Sequence, residues 1–210
     1  MKSIYFEKKT KFESSDALQE ITGLSNIFFD KNTAVTFEGK IFLNDGIYFR
    51  GECFIDNGVS IDSGSILKNA RIGKKSNIRS HSMIEDSSFG DSNIIGPFCF
   101  IRNKTKVGNN CIIGSHVEVT RSKISSNVKI SHQAFIGDAI IDKSVIIGAG
   151  VVFCNHDGSG KNSSHVGEGS MIGSGSMIIA PIKIGSHAII AAGSVVNINV
   201  EDKTKFIQKR

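Results

Sequence analysis

The 210-residue sequence has no tryptophan, only 2 prolines and only 4 leucines, against 32 isoleucines. Leucine favours helices, whereas isoleucine is stiff at χ1 and suits the pleated surface of a sheet. The 22 glycines indicate many turns. This balance argues against an α/β enzyme with a doubly wound sheet and predicts an all-β chain rich in turns.

The sequence also lacks long apolar runs and a strong excess of charge. No run of about 18 apolar residues occurs, so no transmembrane helix is expected. The charged first residues contain no apolar stretch like that of a signal peptide, so we expect a cytoplasmic protein without membrane contact. The net charge of +5 is small and the terminal basic clusters lack interleaved aromatic residues, so no nucleic-acid partner is expected.

A six-residue period runs through the chain from residue 55 onward. One step in three is five residues in most of the series, so the larger period is 17 or 18 residues. Neither an amphipathic helix nor an alternating strand has this period. Three short strands per turn, joined by tight corners, form a triangular prism, which is the parallel β-helix of hexapeptide-repeat proteins. The series is Ile55, Ile61, Leu67, Ile72, Ile78, Ile84, Phe89, Ile95, Ile101, Val107, Ile113, Val119, Ile124, Ile130, Ile136, Ile141, Ile147, Phe153, Val166, Ile172, Ile178, Ile184, Ile190 and Val196.

A small residue usually precedes each large one by two positions, which lets both fill a narrow interior. Three of the 4 cysteines occupy this position and are expected to act as small apolar residues, and no C-x-x-C pair suggests zinc or redox chemistry. No metal is therefore expected. The small positions include Cys53, Ser65, Ser76, Ser82, Ser88, Cys99, Thr105, Cys111, Val117, Ala134, Ser176, Ala188 and Ser194.

Three segments depart from the period. The step from Phe153 to Val166 is 13 residues long and predicts a Gly-, Ser- and Asn-rich loop, a natural place for a binding site. Ser14 and the following residues predict a short capped helix that ends at Gly23. We predict an N-terminal extension over residues 1–26, a β-helix domain over residues 27–200 and a basic tail over residues 201–210.

The histidines raise the question of a metal site. A three-histidine site on this fold would resemble the gamma-class carbonic anhydrases, but the H-x4-H pair of that class is absent. Metal-dependent hydrolysis is therefore not the expected function.

Three segments carry a resemblance to one family: IGPFCFIRNKTKVGNNCIIGSHVEV, SHQAFIGDAIIDKSVIIGAGVVFCNHDGSGK and IGSGSMIIAPIKIGSHAIIAAGSVV. They resemble the acetyltransferase domain of the bifunctional N-acetylglucosamine-1-phosphate uridyltransferases, from about residue 28 to residue 197 and without gaps from Ile95 to Gly193. The uridyltransferase domain that precedes it in that family is missing from this sequence. The resemblance implies a left-handed β-helix, a homotrimer and acetyl-CoA as the donor.

The same resemblance implies roles for the donor side of the site. The SHQAFIGD motif places His132 at the position of the family's general base, and a histidine suits proton transfer at neutral pH in general. The IGAG stretch places Ala149 where a backbone N–H contacts the thioester oxygen. Ser174 and Ala192 match positions that contact CoA.

On the acceptor side, Arg102 and Lys161 match phosphate-binding cations, and Asn155 matches a sugar-binding asparagine of the loop. Four other positions depart from the family, which has lysine, tyrosine, asparagine and tyrosine there. Because two polar contacts become apolar, we expect an amino sugar phosphate or nucleotide-linked amino sugar other than plain glucosamine-1-phosphate. Arg121 is a candidate to restore the lost lysine charge. The departures are Thr120, Phe135, Ile146 and His156.

Three other functions stay open at this point. The same base would serve O-acetylation of a sugar hydroxyl. A trimeric hexapeptide scaffold without activity is a second alternative, because rods of this kind also serve in assembly. A third is a fragment whose uridyltransferase partner is a separate chain.

Overall fold

The structure, a computed structural model, describes residues 1–208 of the chain. Within these residues it contains one α-helix, α1 (Ser15–Thr22), and 29 β-strands, of which all but β1 and β3 are short. The strands are β1 (Lys2–Phe12), β2 (Ile27–Phe29), β3 (Ala34–Leu43), β4 (Ile47–Arg50), β5 (Glu52–Ile55), β6 (Ser60–Ile61), β7 (Ile66–Lys68), β8 (Arg71–Ile72), β9 (Asn77–Ile78), β10 (Met83–Glu85), β11 (Ser88–Phe89), β12 (Ile94–Ile95), β13 (Phe100–Arg102), β14 (Lys106–Val107), β15 (Ile112–Ile113), β16 (Glu118–Thr120), β17 (Lys123–Ile124), β18 (Lys129–Ile130), β19 (Phe135–Gly137), β20 (Ala139–Ile141), β21 (Ile146–Ile147), β22 (Val152–Cys154), β23 (Ser164–Val166), β24 (Met171–Ile172), β25 (Met177–Ile179), β26 (Ile182–Ile184), β27 (Ile189–Ile190), β28 (Val195–Val196) and β29 (Lys205–Phe206).

Beyond the N-terminal strand, the strands form three flat faces that wind into a left-handed parallel β-helix, as the sequence predicts. Face 1 is a ten-stranded sheet of β2, β4, β7, β10, β13, β16, β19, β22, β25 and β28. Face 2 contains β5, β8, β11, β14, β17, β20, β23 and β26, and face 3 contains β6, β9, β12, β15, β18, β21, β24, β27 and β29. The long strand β3 belongs to both faces 2 and 3. We call the corner that leads from face 3 into face 1 the 3–1 corner, and the next one the 1–2 corner.

The six-residue period marks the interior. Every apolar residue of the predicted series is at most 5% exposed. Consecutive coils stack in register, so that Ile84 pairs with Ile101, and Val119 with Ile136. The small positions are also buried, with one difference: Ser87 points inward, whereas Ser88 begins β11 and is only half-buried. The sequence interpretation was one residue out there because two serines stand side by side at a five-residue step.

The N-terminal region contains a strand that the sequence analysis missed. β1 pairs antiparallel with β3, and Phe6 and Phe12 pack against Phe37. Most residues on the exposed side of this strand are charged. The segment therefore looks hydrophilic as a whole, although its other side is apolar. The predicted helix is present: Ser14 is its N-cap and Gly23, in the left-handed region, its C-cap.

The last described residues continue the helical path. Val200 forms a bridge with Ile184, and β29 pairs in parallel with β27. The segment 201–208 of the predicted basic tail therefore lies on the last coil, and residues 209–210 of that tail lie outside the described residues. Within residues 1–208, no helix has the length and apolar character needed to cross a membrane.

Candidate functional site

The residues expected to serve the donor lie in one column at the 3–1 corner. His132, Ala149, Ser174 and Ala192 occupy the same position on four consecutive coils, because β18, β21, β24 and β27 pair in register. Parallel strands lie about 4.8 Å apart, so the column spans about 14 Å. Each carbonyl of the first three accepts the amide of a glycine on the next coil, at 2.8 to 2.9 Å. The bonds run from Gly150 to His132, from Gly175 to Ala149 and from Gly193 to Ser174.

The column also presents backbone donors. The N–H groups of Ala149, Ser174 and Ala192 have no hydrogen-bond partner within residues 1–208. They lie at a corner, where the chain turns and the parallel ladder between coils is interrupted. A row of unpaired N–H groups beside a histidine suits the carbonyl oxygens of an extended ligand and the oxygen of a reacting acyl group.

The His132 imidazole is exposed at the top of this column. Its Nδ1 lies 3.2 Å from the backbone N of Ser115 and 3.0 Å from the Ser115 Oγ. A Cβ on Gly114 would lie 2.9 Å from the same nitrogen, so only a residue without a side chain leaves room for the ring. Ser115 and Gly114 therefore set the orientation of the imidazole.

Ser115 also influences which ring nitrogen carries the proton. When Nδ1 is unprotonated, both Ser115 groups donate to it and the proton resides on Nε2. When Nδ1 is protonated, the hydroxyl accepts its proton and Nε2 is free to act as a base. The backbone N–H of Ser115 can only donate, so it favours the tautomer with the proton on Nε2. The rotatable hydroxyl keeps the second tautomer accessible, at the loss of the backbone hydrogen bond.

A second group of predicted residues meets at the 1–2 corner, around Asp138. Its carboxylate accepts hydrogen bonds from Arg121 Nε at 2.6 Å and Nη2 at 2.8 Å, and from Asn155 Nδ2 at 2.5 Å. These bonds join three consecutive coils. The bound Arg121 guanidinium lowers the pKa of Asp138 below its ordinary value, and the Lys161 charge adds to the effect. Since Arg121 is paired in this way, it does not supply the free positive charge that the sequence analysis considered.

Arg102 extends along face 1 from the same corner. Its Nε and Nη2 both donate to one oxygen of Glu118, at 3.1 and 2.5 Å, and its guanidinium lies over the Phe100 ring at 5.0 Å from the ring centre. Both charged side chains remain about one-third exposed. One guanidinium nitrogen, Nη1, is not bound by the pair and can bind an anionic oxygen.

Thr120 is 1% exposed. Its hydroxyl accepts hydrogen bonds from Asn103 Nδ2 at 3.1 Å and from Arg121 Nη1 at 3.0 Å. The threonine that stands in place of the family's lysine thus holds its two neighbours in position. Phe135 lies in the middle of face 1, half-buried between Glu118 and Val152.

Ile146 is the predicted site residue that this chain does not bring to face 1. It lies on face 3 between Lys129 and Met171 and is 44% exposed. Within one chain it therefore cannot share a ligand with Arg102 on face 1. It can do so only if face 3 of one copy meets face 1 of another.

The predicted loop leaves the prism after β22 and returns at β23. A bridge between His156 and Lys161 gives it the form of a small hairpin. The Asp157 carboxylate closes the turn by accepting from the hydroxyl and backbone N–H of Ser159, and these bonds lower its pKa. The loop is thus built by its own hydrogen bonds, while Asn155 ties its base to Asp138. The His156 ring accepts the Gly158 N–H at 3.0 Å, and the Lys161 side chain is exposed.

The cysteines do not contribute to this site. Burial raises the pKa values of the Cys53 and Cys111 thiols, and that of Cys99 to about 11, so they stay protonated. Within residues 1–208, no group of three or more metal-ligating side chains lies together.

Along one coil, face 1 separates the two corners by the length of one three-residue strand, about 10 Å. An amino sugar phosphate has a comparable length. An acceptor on face 1 can therefore span from the 3–1 corner to the 1–2 corner, while Arg102 lies two coils, about 10 Å, before the coil of Phe135.

Sequence reasoning assigned no role to Ser115 or Asp138. Asp138 closes the SHQAFIGD motif and could have been found there, because it is the one acid in that motif. Ser115 had no such signal, since it is one of many corner serines.

Comparison with known proteins agrees with this architecture. A family model for the bacterial transferase hexapeptide (six repeats) matches residues 86–121 and 163–197. A solved structure of LpxA from Acinetobacter baumannii is 18% identical, with a TM-score of 0.57, and the match covers 86% of this chain and 69% of that one. At this identity the likeness concerns the fold alone.

Two curated relatives are both named "Bifunctional protein GlmU". That of Ruthia magnifica subsp. Calyptogena magnifica is 41% identical over 168 residues, 80% of this chain and 37% of the relative. That of Baumannia cicadellinicola subsp. Homalodisca coagulata is 36% identical over 181 residues, 86% of this chain and 39% of the relative. The chain thus spans well under half the length of these relatives. The resemblance predicted from the sequence is confirmed: the chain carries the hexapeptide repeats of bacterial transferases and is similar to one part of the proteins named GlmU.

Proposed function

We propose that this protein is an acetyl-CoA-dependent N-acetyltransferase that acts on an amino sugar phosphate or a nucleotide-linked amino sugar. The observation that carries the proposal is the arrangement across face 1. A histidine stands at the head of a column of unpaired backbone N–H groups at one corner, and cations stand at the other. The first arrangement suits a thioester donor, and the second an anionic acceptor.

The proposed reaction uses His132 as the general base. The acceptor amine attacks the thioester carbonyl, His132 Nε2 takes the proton that the nitrogen loses, and the C–S bond breaks to release CoA as its thiolate. Nε2 can accept this proton in the tautomer whose Nδ1–H donates to the Ser115 hydroxyl. The thiolate then takes up a proton to leave as the thiol.

The Ala149 N–H is the proposed donor to the oxygen that becomes negatively charged in the tetrahedral intermediate. It lies one coil from His132 in the same column. Ser174 and Ala192 continue the column and are proposed to contact the extended CoA chain through their unpaired N–H groups. No metal takes part in this proposal.

The acceptor is proposed to lie on face 1 between Phe135 and the loop. Arg102 and Lys161 bind its phosphate, and Asn155 contacts a hydroxyl from the base of the loop. Phe135 offers an aromatic surface where the resembling family has a hydroxyl, which favours a sugar that lacks one hydroxyl group. His156 borders the same loop and is proposed to contact the acceptor from above.

We further propose that the enzyme is a homotrimer and that the acceptor lies between neighbouring chains. Faces 1 and 3 both carry exposed apolar side chains, whereas face 2 is mainly polar. A three-sided rod with two such faces can close a cyclic trimer, which would bring Ile146 on face 3 to the acceptor on a neighbour's face 1. The exposed apolar residues are Phe28, Tyr48, Met177 and Val195 on face 1, and Ile112, Ile146, Met171 and Ile189 on face 3.

The oligomer is tested by light scattering on the purified chain. The expected mass is three times the 22.6 kDa of one chain. Met177→Asp, on β25 of face 1, should shift the protein to smaller species, and Ser88→Asp, on polar face 2, should not. A wild-type mass of one chain would contradict the trimer.

The reaction is tested by thiol release from acetyl-CoA across amino sugars, their 1-phosphates and nucleotide-linked amino sugars. His132→Asn should lower kcat on the best acceptor by about 10²- to 10⁴-fold, the usual contribution of a general base. His187→Asn is the matched control, because His187 is also an exposed corner histidine but lies at the corner between faces 2 and 3. Full activity of His132→Asn would show that His132 is not the general base.

The same panel separates the alternatives. Transfer to sugars without an amine would favour O-acetylation with the same base. A thermal shift experiment addresses the scaffold alternative, because a protein that binds acetyl-CoA is stabilised by it. Absence of both a shift and thiol release would favour a scaffold.

A further inference from the structure

A groove on the face 2 side of the 1–2 corner carries a concentration of positive charge that the proposed reaction does not use. It has a volume of about 480 Å³, within the usual range for ligand sites. Lys104, Lys106 and Lys123 line it together with Arg121 and Asp138. Because Arg121 is neutralised by Asp138, the three lysines set the charge of the groove.

The three lysines have no compensating acid. None of them forms an ion pair within the described part of the chain, residues 1–208. Lys106 and Lys123 stand directly side by side on β14 and β17. Like charges on neighbouring strands destabilise a sheet. An anion bound between them would relieve this repulsion.

Lys104 is an extra residue at this corner. The preceding and following coils pass the corner in five-residue steps, whereas the step from Ile101 to Val107 has six. Asn103 and Lys104 both adopt the left-handed backbone region, at φ 58° and 61°. The added residue thus widens the corner and adds a lysine to the rim of the groove.

The groove adjoins the acceptor side of the proposed site. Asp138 lines the groove and also binds Asn155, and Arg121 bonds both Asp138 and Thr120. The donor column extends from His132 toward the C-terminal coils, away from the coil of Lys104. An anion in the groove would therefore belong to the acceptor and not to CoA.

We propose that this groove binds the second phosphate of a diphosphate-linked acceptor, so that the acceptor is a nucleoside diphosphate amino sugar. This inference rests on the proposed acetyl transfer for the identity of the ligand. Arg102 and Lys161 take the phosphate next to the sugar, and Lys104, Lys106 and Lys123 take the following one. Each phosphate of a nucleoside diphosphate sugar carries one negative charge, which the three ammonium groups more than balance.

Binding of inorganic pyrophosphate to the full chain, measured by calorimetry, tests the groove without catalysis. Lys106→Gln/Lys123→Gln should weaken binding at least about tenfold, as the loss of two charge-assisted contacts would do. Lys183→Gln, an exposed lysine on β26 of the same face, should bind as the wild type does. Without ligand, the double variant should melt at a higher temperature than the wild type, because the repulsion is removed.

Steady-state kinetics then test the ligand. In the same double variant, KM for a nucleoside diphosphate amino sugar should rise about tenfold, while KM for the amino sugar 1-phosphate and for acetyl-CoA stays unchanged. If pyrophosphate binds at the lysines but no acceptor is acetylated, the groove is an anion site and the proposed function is wrong. Three results would contradict phosphate binding in the groove. They are absence of pyrophosphate binding, an equal loss of pyrophosphate affinity in Lys183→Gln, and an equal rise in all KM values.

Discussion

The two corners that border face 1 are built in different ways. The 3–1 corner is a regular column of His132, Ala149, Ser174 and Ala192, in which the backbone faces outward and three of the four side chains are small. The 1–2 corner is irregular, with an extra residue, a long loop and a carboxylate that joins three coils.

The difference shows how a repetitive fold acquires a specific site. Regular repetition places equivalent N–H groups at even spacing, which suits an extended donor that makes similar contacts along its length. Departures from the repeat place charged side chains, which suit an acceptor of defined shape. The comparison can be tested by changing one corner at a time.

The largest effect is expected from the core that supports both corners. Ile136 is fully buried in the coil between His132 and Asp138, and Ile136→Ala should lower the free energy of unfolding by about 2–5 kcal/mol. Chemical denaturation measures this loss. Ile140→Ala removes a similar side chain from the exposed side of the next strand, where Ile140 is 47% exposed, and should change stability by less than about 0.5 kcal/mol. Equal losses would mean that the interior is not packed as described.

At the 3–1 corner, Ser115→Ala removes the hydroxyl that supports the basic tautomer of His132. The expected loss is about tenfold in kcat, or about 1.4 kcal/mol in the activation free energy, with acceptor KM unchanged. Ser115→Thr keeps a hydroxyl and should restore most of the rate. A pH–rate profile that is identical in wild type and Ser115→Ala, with unchanged kcat, would show that Ser115 has no such role.

At the 1–2 corner, Gly137 is the residue that leaves room for Asn155. A Cβ there would lie 2.5 Å from Asn155 Nδ2, so Gly137→Ala should displace the amide from Asp138. The free energy of unfolding should fall by about 1 kcal/mol, the usual contribution of one hydrogen bond, and chemical denaturation measures this loss. Gly160→Ala is the control, because a Cβ on that glycine meets nothing within 4 Å. Acetyl-CoA binding should be the same in both variants, and a loss confined to Gly137→Ala would contradict the separation of the corners.

The smallest effect concerns the Arg121–Asp138 ion pair. Because the folded pKa of Asp138 is lowered, mainly by Arg121, its contribution to stability is present above the ordinary aspartate pKa and is lost as pH falls through the lowered value. Asp138→Asn should therefore lower the free energy of unfolding by about 0.5–1 kcal/mol at neutral pH. The difference in unfolding free energy between the variant and the wild type should vanish in acid. Denaturation curves of both proteins at several pH values measure it. A difference from wild type that persists unchanged in acid would point to packing instead.

The sequence predicted the regular part of the molecule well. The series from Ile55 to Val196 identifies the interior, since a coil of three strands has that period. The motif that contains His132 predicts the position of the proposed base, and that role stays a prediction. Handedness required the resemblance, because periodicity is the same in either hand.

The irregular parts were harder to predict. The pairing of Arg121 with Asp138 depends on side chains of separate coils meeting at a corner, and the burial of Thr120 follows from that pairing. β1 was missed because its lysines face solvent and its phenylalanines face β3. In each case, contacts between distant residues decide the structure.

The most direct test of the account is acetyl-CoA affinity in two variants, one at each corner. Ala192→Phe places a large side chain in the exposed donor column and should raise the Kd of acetyl-CoA at least about tenfold, or about 1.4 kcal/mol. Arg102→Ala, at the other edge of face 1, should leave that Kd unchanged and raise KM for the phosphorylated acceptor. An equal loss of acetyl-CoA affinity in both variants, or none in Ala192→Phe, would contradict the division of donor and acceptor between the two corners.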